Sequence, residues 1–128
     1  MRALLDTHVL VWWATDDARL SARAREVLSD PVNELLFSVA SAWELVIKAQ
    51  TGKLVLPEPP ATYIPSRLSW YAIEPLPVDL RHVLGVADLP LHHRDPFDRL
   101  LVAQSRLENL PIVTADPLIA QYPVETIW

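Results

Sequence analysis

"DPFDRLLVAQSRLENLPIVTAD", residues Asp95 to Asp116, reads as one helix running into one strand. Asp95, Pro96 and Asp98 fall where N-cap, N1 and N3 residues belong. The cap oxygen accepts an amide hydrogen bond, proline has no N–H to leave unpaired, and an acid in the first turn meets the positive end of the helix dipole. "RLLVAQSRLEN" continues as the strongest helical pattern in the chain. "LPIVTAD" is a short apolar run ending at Thr114 and Asp116, the signature of a buried strand.

The same alternation extends in both directions. "RALLD" predicts a strand ending at Asp6, and "THVLVWWATDD" a turn or two of apolar helix, then a polar loop. Ser21 caps "ARAREVLSD", with Pro31 after it. "ELLFS" is a second strand, and "VASAWELVIKAQTG" a helix from N-cap Ser38 to a stop at Gly52. Prolines set turns around a short helix over Thr62 to Ser69. "YAIEPLP" is a third strand, and "VDLRHVLGVADLP" an amphipathic helix broken near Pro90. "PLIAQY" is a helical turn and "PVETIW" the last strand. Short apolar strands alternating with helices predict an α/β fold, with a parallel sheet covered on both faces. In such folds, sites form at the carboxyl ends of the strands.

Composition narrows the chemistry. The chain has 128 residues, suited to one domain, and 51% are hydrophobic, enough for a packed core. The absence of cysteine excludes disulfides, thiol catalysis and cysteine zinc sites. Only Gly52 and Gly85 are glycines, too few for a phosphate-binding loop or a dinucleotide fingerprint. No apolar run reaches the roughly 20 residues of a membrane helix, and the start lacks the order of a signal peptide, so a cytoplasmic protein is expected. The net charge of −5 argues against a simple basic nucleic-acid binder. Bound divalent cations can supply the missing positive charge.

Asp6 ends the first strand, Asp116 lies just past the fourth, Asp98 is in the first turn of the helix before that strand, and Glu44 lies inside an apolar helix. If the first and fourth strands are neighbours, these acids meet at one rim. Each also has a plain structural account: Asp6, Asp95 and Asp116 as helix caps, Asp98 as a dipole partner, Glu44 as a solvated side chain. Gathered together, carboxylates repel one another unless protons or cations intervene. An oxygen-only cluster suits Mg²⁺ or Mn²⁺, which can activate a water and stabilise charge on a phosphoryl oxygen.

The segments "LLDTHVLVWW", "SVASAWELVIKAQTGKL", "HHRDPFDRLLVAQ" and "IVTADPLIAQYPVETIW", in this order, resemble the PIN-domain ribonucleases, in particular the VapC-like toxins of toxin–antitoxin pairs. The likeness covers essentially the whole chain. It implies a PIN-like three-layer fold, a parallel five-stranded sheet flanked by helices. It also implies metal-dependent endonucleolytic cleavage of RNA by Asp6, Glu44, Asp98 and Asp116 around Mg²⁺ or Mn²⁺. Thr114 becomes the supporting hydroxyl, and Asp95 a cap first and an outer supporting residue second. The resemblance further implies an antitoxin protein as partner, and a homodimer.

Arg94 and Arg99 flank the third acid and could hold phosphates, or simply balance surface charge. His8, His92 and His93 form no helical i, i+4 ligand pair, and neighbours such as His92 and His93 point apart in a regular element, so no metal role is expected of them. Lys48, one turn beyond Glu44, is either a neighbour of the site or half of a surface i, i+4 pair. Most of the five tryptophans are expected in the core, with Trp12 or Trp13 covering a dimer or antitoxin surface. A phosphoacceptor signalling domain needs paired acids after the first strand and a lysine after the last. "LLDTH" has one acid, and no lysine follows Lys53. A non-catalytic PIN-like binding module would have little reason to carry all four acids.

Overall fold

A computed structural model describes residues Met1–Trp128. The strands are β1 (Arg2–Leu5), β2 (Glu34–Ser38), β3 (Ile73–Leu76), β4 (Ile112–Val113) and β5 (Thr126–Ile127). The helices are α1 (Thr7–Ala14), α2 (Ala22–Ser29), α3 (Val39–Gln50), α4 (Pro60–Trp70), α5 (Leu80–Gly85) and α6 (Pro96–Glu108). The sheet has five strands in the order β3-β2-β1-β4-β5, all parallel. No helix is long and apolar enough to cross a membrane.

Alternation along the strands builds three layers. Ala3, Leu5, Leu35, Phe37 and Val113 face one way, against Val9 and Leu10 of α1, Ala24 and Val27 of α2, Leu45 of α3 and Tyr63 of α4. Leu4, Leu36 and Ile112 face the other way, against Leu101 and Val102 of α6, with Leu89, Ile119 and Tyr122 around them. Because both faces are covered, the strands read as continuous apolar runs rather than as alternating ones.

Strand β1 is central, with Leu5 registered against Phe37 on one side and Val113 on the other. The chain builds outward from β1 through β2 to β3, then crosses back through α5 and α6 to place β4 on the free side of β1. The direction of winding therefore reverses between β1 and β4. Ligands of such sheets bind in the crevice at that reversal.

Several expectations shift in detail. Helix α4 starts at Pro60, where proline suits the first turn, and so exceeds the predicted Thr62–Ser69. The helix expected through "VDLRHVLGVADLP" stops at Gly85 and continues as a 3₁₀ turn over Val86–Asp88. Arg99 draws off the carbonyls of Val86, Leu89 and Pro90 there. "PLIAQY" holds a 3₁₀ turn over Ile119–Gln121. The tryptophans are not core residues: none is buried, and Trp43 and Trp70 are 62% and 82% exposed. Aliphatic side chains fill both faces of the sheet, and indoles such as Trp12, Trp13 and Trp128 pack at its margin.

Candidate active site

Asp6 follows β1 directly and is 8% exposed. Its extended backbone makes it the N-cap of α1, and Oδ1 accepts the Thr7 N–H at 2.7 Å. Oδ2 accepts the Thr114 hydroxyl at 2.7 Å. The cap reading of Asp6 is therefore met by one oxygen, and the other faces the end of β4. The Thr114 hydroxyl oxygen in turn accepts the Asp116 N–H at 3.0 Å, which ties the end of β4 to the end of β1.

Glu44 is buried within α3, 5% exposed. Its Oε1 accepts the Thr7 hydroxyl at 2.7 Å, and its Oε2 lies 3.0 Å from Lys48 Nζ. Lys48 thus satisfies both readings, as an i, i+4 partner of Glu44 and a wall of the pocket. Its ammonium also lies 3.2 Å from His8 Nε2.

Asp95 is the N-cap of α6, accepting the N–H groups of Phe97 and Asp98 at 2.8 and 3.2 Å. That frees the carboxylate of Asp98 to face the other acids. Asp6, Glu44, Asp95, Asp98 and Asp116 line one cavity of about 290 Å³. The four acids expected to form the site come together, with the cap at its edge.

Sequence reasoning missed His93. Its Nδ1 accepts the Asp95 N–H at 3.1 Å, so the ring proton belongs on Nε2. That nitrogen lies 3.0 Å from Asp98 Oδ2 and 2.9 Å from Asp116 Oδ2. The expectation that adjacent histidines point apart rested on a regular element, whereas His92 and His93 lie in a loop. His92 packs edge-on to Tyr122, and the Tyr122 hydroxyl accepts the His93 N–H at 2.9 Å. The signal available was "HRD": a histidine two residues before a capping aspartate can reach that residue's own amide.

Arg99 does not face a phosphate position. One terminal nitrogen donates to Pro90 O and the Tyr122 hydroxyl at 3.0 and 3.1 Å, the other to Val86 O and Leu89 O. It clamps the 86–90 segment to α6, and this corrects the phosphate-binding role expected of it. Arg94 is exposed and forms no ion pair.

The electrostatics follow from burial. Asp98 is pushed up to about 8, first by loss of water and then by the charges of Asp6, Asp95, Glu44 and Asp116. Burial also raises Asp6, against the lowering effect of the Thr114 hydrogen bond. An oxygen-rich pocket that takes up protons to relieve its own repulsion fits a hard divalent cation, which relieves the same repulsion more strongly. His93 does not add a ready ligand, because its Nε2 carries the proton it donates.

Known proteins share this architecture. The family model for the PIN domain matches residues 3–125. Ribonuclease VapC16 of Mycobacterium tuberculosis is 44% identical over 68 residues, 50% of this chain and 48% of that protein. The match thus spans about half the length of that curated relative. Among solved structures, the chain superposes on VapBC2 from Rickettsia felis, bound to a DNA fragment from its promoter, with a TM-score of 0.69 at 14% identity, covering 98% and 97% of the two chains. It superposes on FitAcB from Neisseria gonorrhoeae with a TM-score of 0.65 at 18% identity, covering 98% and 96%. At such identities the likeness is one of fold.

Proposed function

The chain belongs to the PIN-domain family, and from that premise we propose that it is a divalent-cation-dependent endoribonuclease acting as the toxin of a toxin–antitoxin pair. The observation that carries the reading is the convergence of Asp6, Glu44, Asp98 and Asp116 on one pocket, in which burial pushes the carboxyls of Asp6 and Asp98 upward. The ribonuclease name of the relative and the VapBC and FitAcB assemblies among the structural neighbours support the substrate and the antitoxin partner. A homodimer is part of the same proposal, as is the single domain spanning residues 1–128.

Asp6, Asp98 and Asp116 offer the oxygens that would hold Mg²⁺ or Mn²⁺, with Glu44 completing the set. Such an ion supplies Lewis acidity, lowering the pKa of water and offsetting charge on a phosphoryl oxygen. The rest is the chain's own work. Thr114 fixes the rotation of the Asp6 carboxylate, and Thr7 does the same for Glu44. The His93 N–H holds Asp98 and Asp116 toward one point. Lys48 offsets part of the charge of Glu44 from the solvent side.

Purified protein incubated with total RNA should yield fragments with Mg²⁺ or Mn²⁺ and none with EDTA. Intact RNA under every condition, together with binding of the antitoxin, favours a non-catalytic PIN-like binding module instead. A short open reading frame upstream of this gene would supply the antitoxin to be used.

A further inference from the structure

Both lysines of the chain, Lys48 and Lys53, line a second cavity of about 500 Å³, with His8, Trp12 and Arg19 among the other walls. His8, Trp12 and Lys48 also line the acidic pocket, so the two cavities share a wall. We propose that this groove seats the phosphodiester backbone of single-stranded RNA beside the cut site. The proposal deepens the nuclease reading and rests on it.

The groove answers a problem set by the site itself. The chain carries a net charge of −5 and five acids in one cavity, and this surface repels a polyanion. Cations at its edge must hold the strand, as in single-strand binders that track the backbone with positive side chains and stack bases on aromatic rings. Here the cations are placed by the end of α3. Gly52 takes a φ of +75°, which turns the chain so that the Lys53 N–H folds back to Lys48 O at 3.0 Å. That turn returns Lys53 toward Lys48. Lys53 is exposed and joins no ion pair, which leaves its charge available.

The remaining groups grade the contribution of each wall. Asp17 is the acid of the groove, and it already binds Arg19 at 2.8 Å. The Arg19 guanidinium lies over the Trp12 ring at 4.7 Å, and the His8 ring stacks on the same indole at 5.9 Å. The side chain of Arg19 is 67% exposed, so a nucleobase can take its place against Trp12. Lys48 is shared with Glu44. Lys53 is therefore the residue whose loss a strand feels most.

The test uses the full chain carrying Asp98→Asn to silence cleavage, and a fluorescein-labelled single-stranded RNA of about twelve nucleotides, within the range one site accommodates. Anisotropy is read over a salt series with Mg²⁺ present. Lys53→Ala should weaken binding roughly three- to tenfold at low salt and lower the slope of log K against log salt by about 0.7, the value for one single-strand phosphate contact. Arg19→Ala should have a smaller effect. Arg106→Ala removes the same charge at the far end of α6 and should change neither quantity. Equal effects of Lys53→Ala and Arg106→Ala, or no binding by the parent, overturn the proposal. A glutamate-rich peptide competing as well as RNA, with the same dependence on Lys53, overturns the assignment of RNA as the occupant. Binding at the groove, when the unaltered chain cuts no RNA with Mg²⁺ or Mn²⁺, counts against the nuclease reading and not against this one.

Discussion

Helix α6 has a histidine–carboxylate cluster at each end, and the two are built alike. At its start, His93 Nδ1 accepts the N–H of Asp95 at 3.1 Å and Nε2 faces Asp116 at 2.9 Å. At its finish, His82 Nδ1 accepts the N–H of Asp79 at 3.1 Å and Nε2 faces Glu108 at 2.8 Å. The difference is charge compensation. Arg81 lies against both Asp79 and Glu108, and the His82 hydrogen bond holds the Glu108 carboxyl below its usual range. No arginine joins the first cluster, and there burial and neighbouring acids carry Asp98 up to about 8. Two triads of similar shape thus do opposite things. In one the protein's own cations compensate the acids, and in the other the acids of Asp98 and Asp116 face no arginine or lysine.

Removing an acid from each cluster separates them most sharply. Asp6→Asn and Asp98→Asn should each lower RNA cleavage by at least about a hundredfold, the scale on which electrostatic groups aimed at a transition state act. Glu108→Gln should leave cleavage unchanged. Initial rates on one RNA with saturating Mn²⁺ decide it. Full activity in a clean Asp6→Asn preparation would remove the contrast between the clusters.

The two ends also predict opposite pH responses of the metal-free protein. Asp98 has a folded-state pKa above its unfolded value, so its stabilising contribution is complete below about pH 4 and is lost as pH rises through about 8. Glu108 is held low, so its contribution is present at neutral pH and is lost as pH falls through its folded value. Between pH 5 and 8 the metal-free chain should lose on the order of 2–3 kcal/mol, after discounting for the part of Asp98 that solvent reaches. Asp98→Asn should flatten that limb, and Mg²⁺ or Mn²⁺ should restore stability at pH 8. Urea midpoints across the pH range, with and without metal, read all three. A flat profile for the unaltered chain would place Asp98 among ordinary carboxylates.

Glu108→Ala sharpens the comparison from the other side. It leaves the proton of His82, which is 1% exposed, without an acceptor. A buried donor left unpaired costs about 1–3 kcal/mol, a fall in Tm of several degrees for a chain of this size. Thermal unfolding should show that loss equally with and without Mn²⁺, because the metal acts through the first cluster, which this substitution leaves intact.

The two clusters were unequally legible in the sequence. The acids of the first could be named because the signals are local: Asp6 and Asp116 end apolar runs, Asp95 and Asp98 fit cap positions, and Glu44 interrupts an apolar helix face. Their meeting depended on β1 and β4 being neighbours, which spacing alone does not dictate. His93 was hidden because its geometry belongs to a loop. Arg99 was misjudged because its partners are carbonyls of the 86–90 segment, brought to α6 only by tertiary packing. The exposure of Trp43 and Trp70 was equally invisible, since residue type alone places an indole inside.

Thr114→Val is the finest probe of the first cluster. Valine keeps the shape of threonine, so packing in this 3% exposed site is preserved, while the donor to Asp6 and the acceptor for the Asp116 N–H both disappear. The Thr114 hydrogen bond is the largest influence holding Asp6 down against burial, so its loss raises that carboxyl further. Metal binding requires the deprotonated carboxylate. Affinity for Mn²⁺ should therefore fall about tenfold, as for other groups that orient a ligand, and fall further at pH 6 than at pH 8. Thr114→Ser, which keeps the hydroxyl, should recover most of it. Calorimetric titration at both pH values distinguishes this from packing damage, which would weaken binding equally at each.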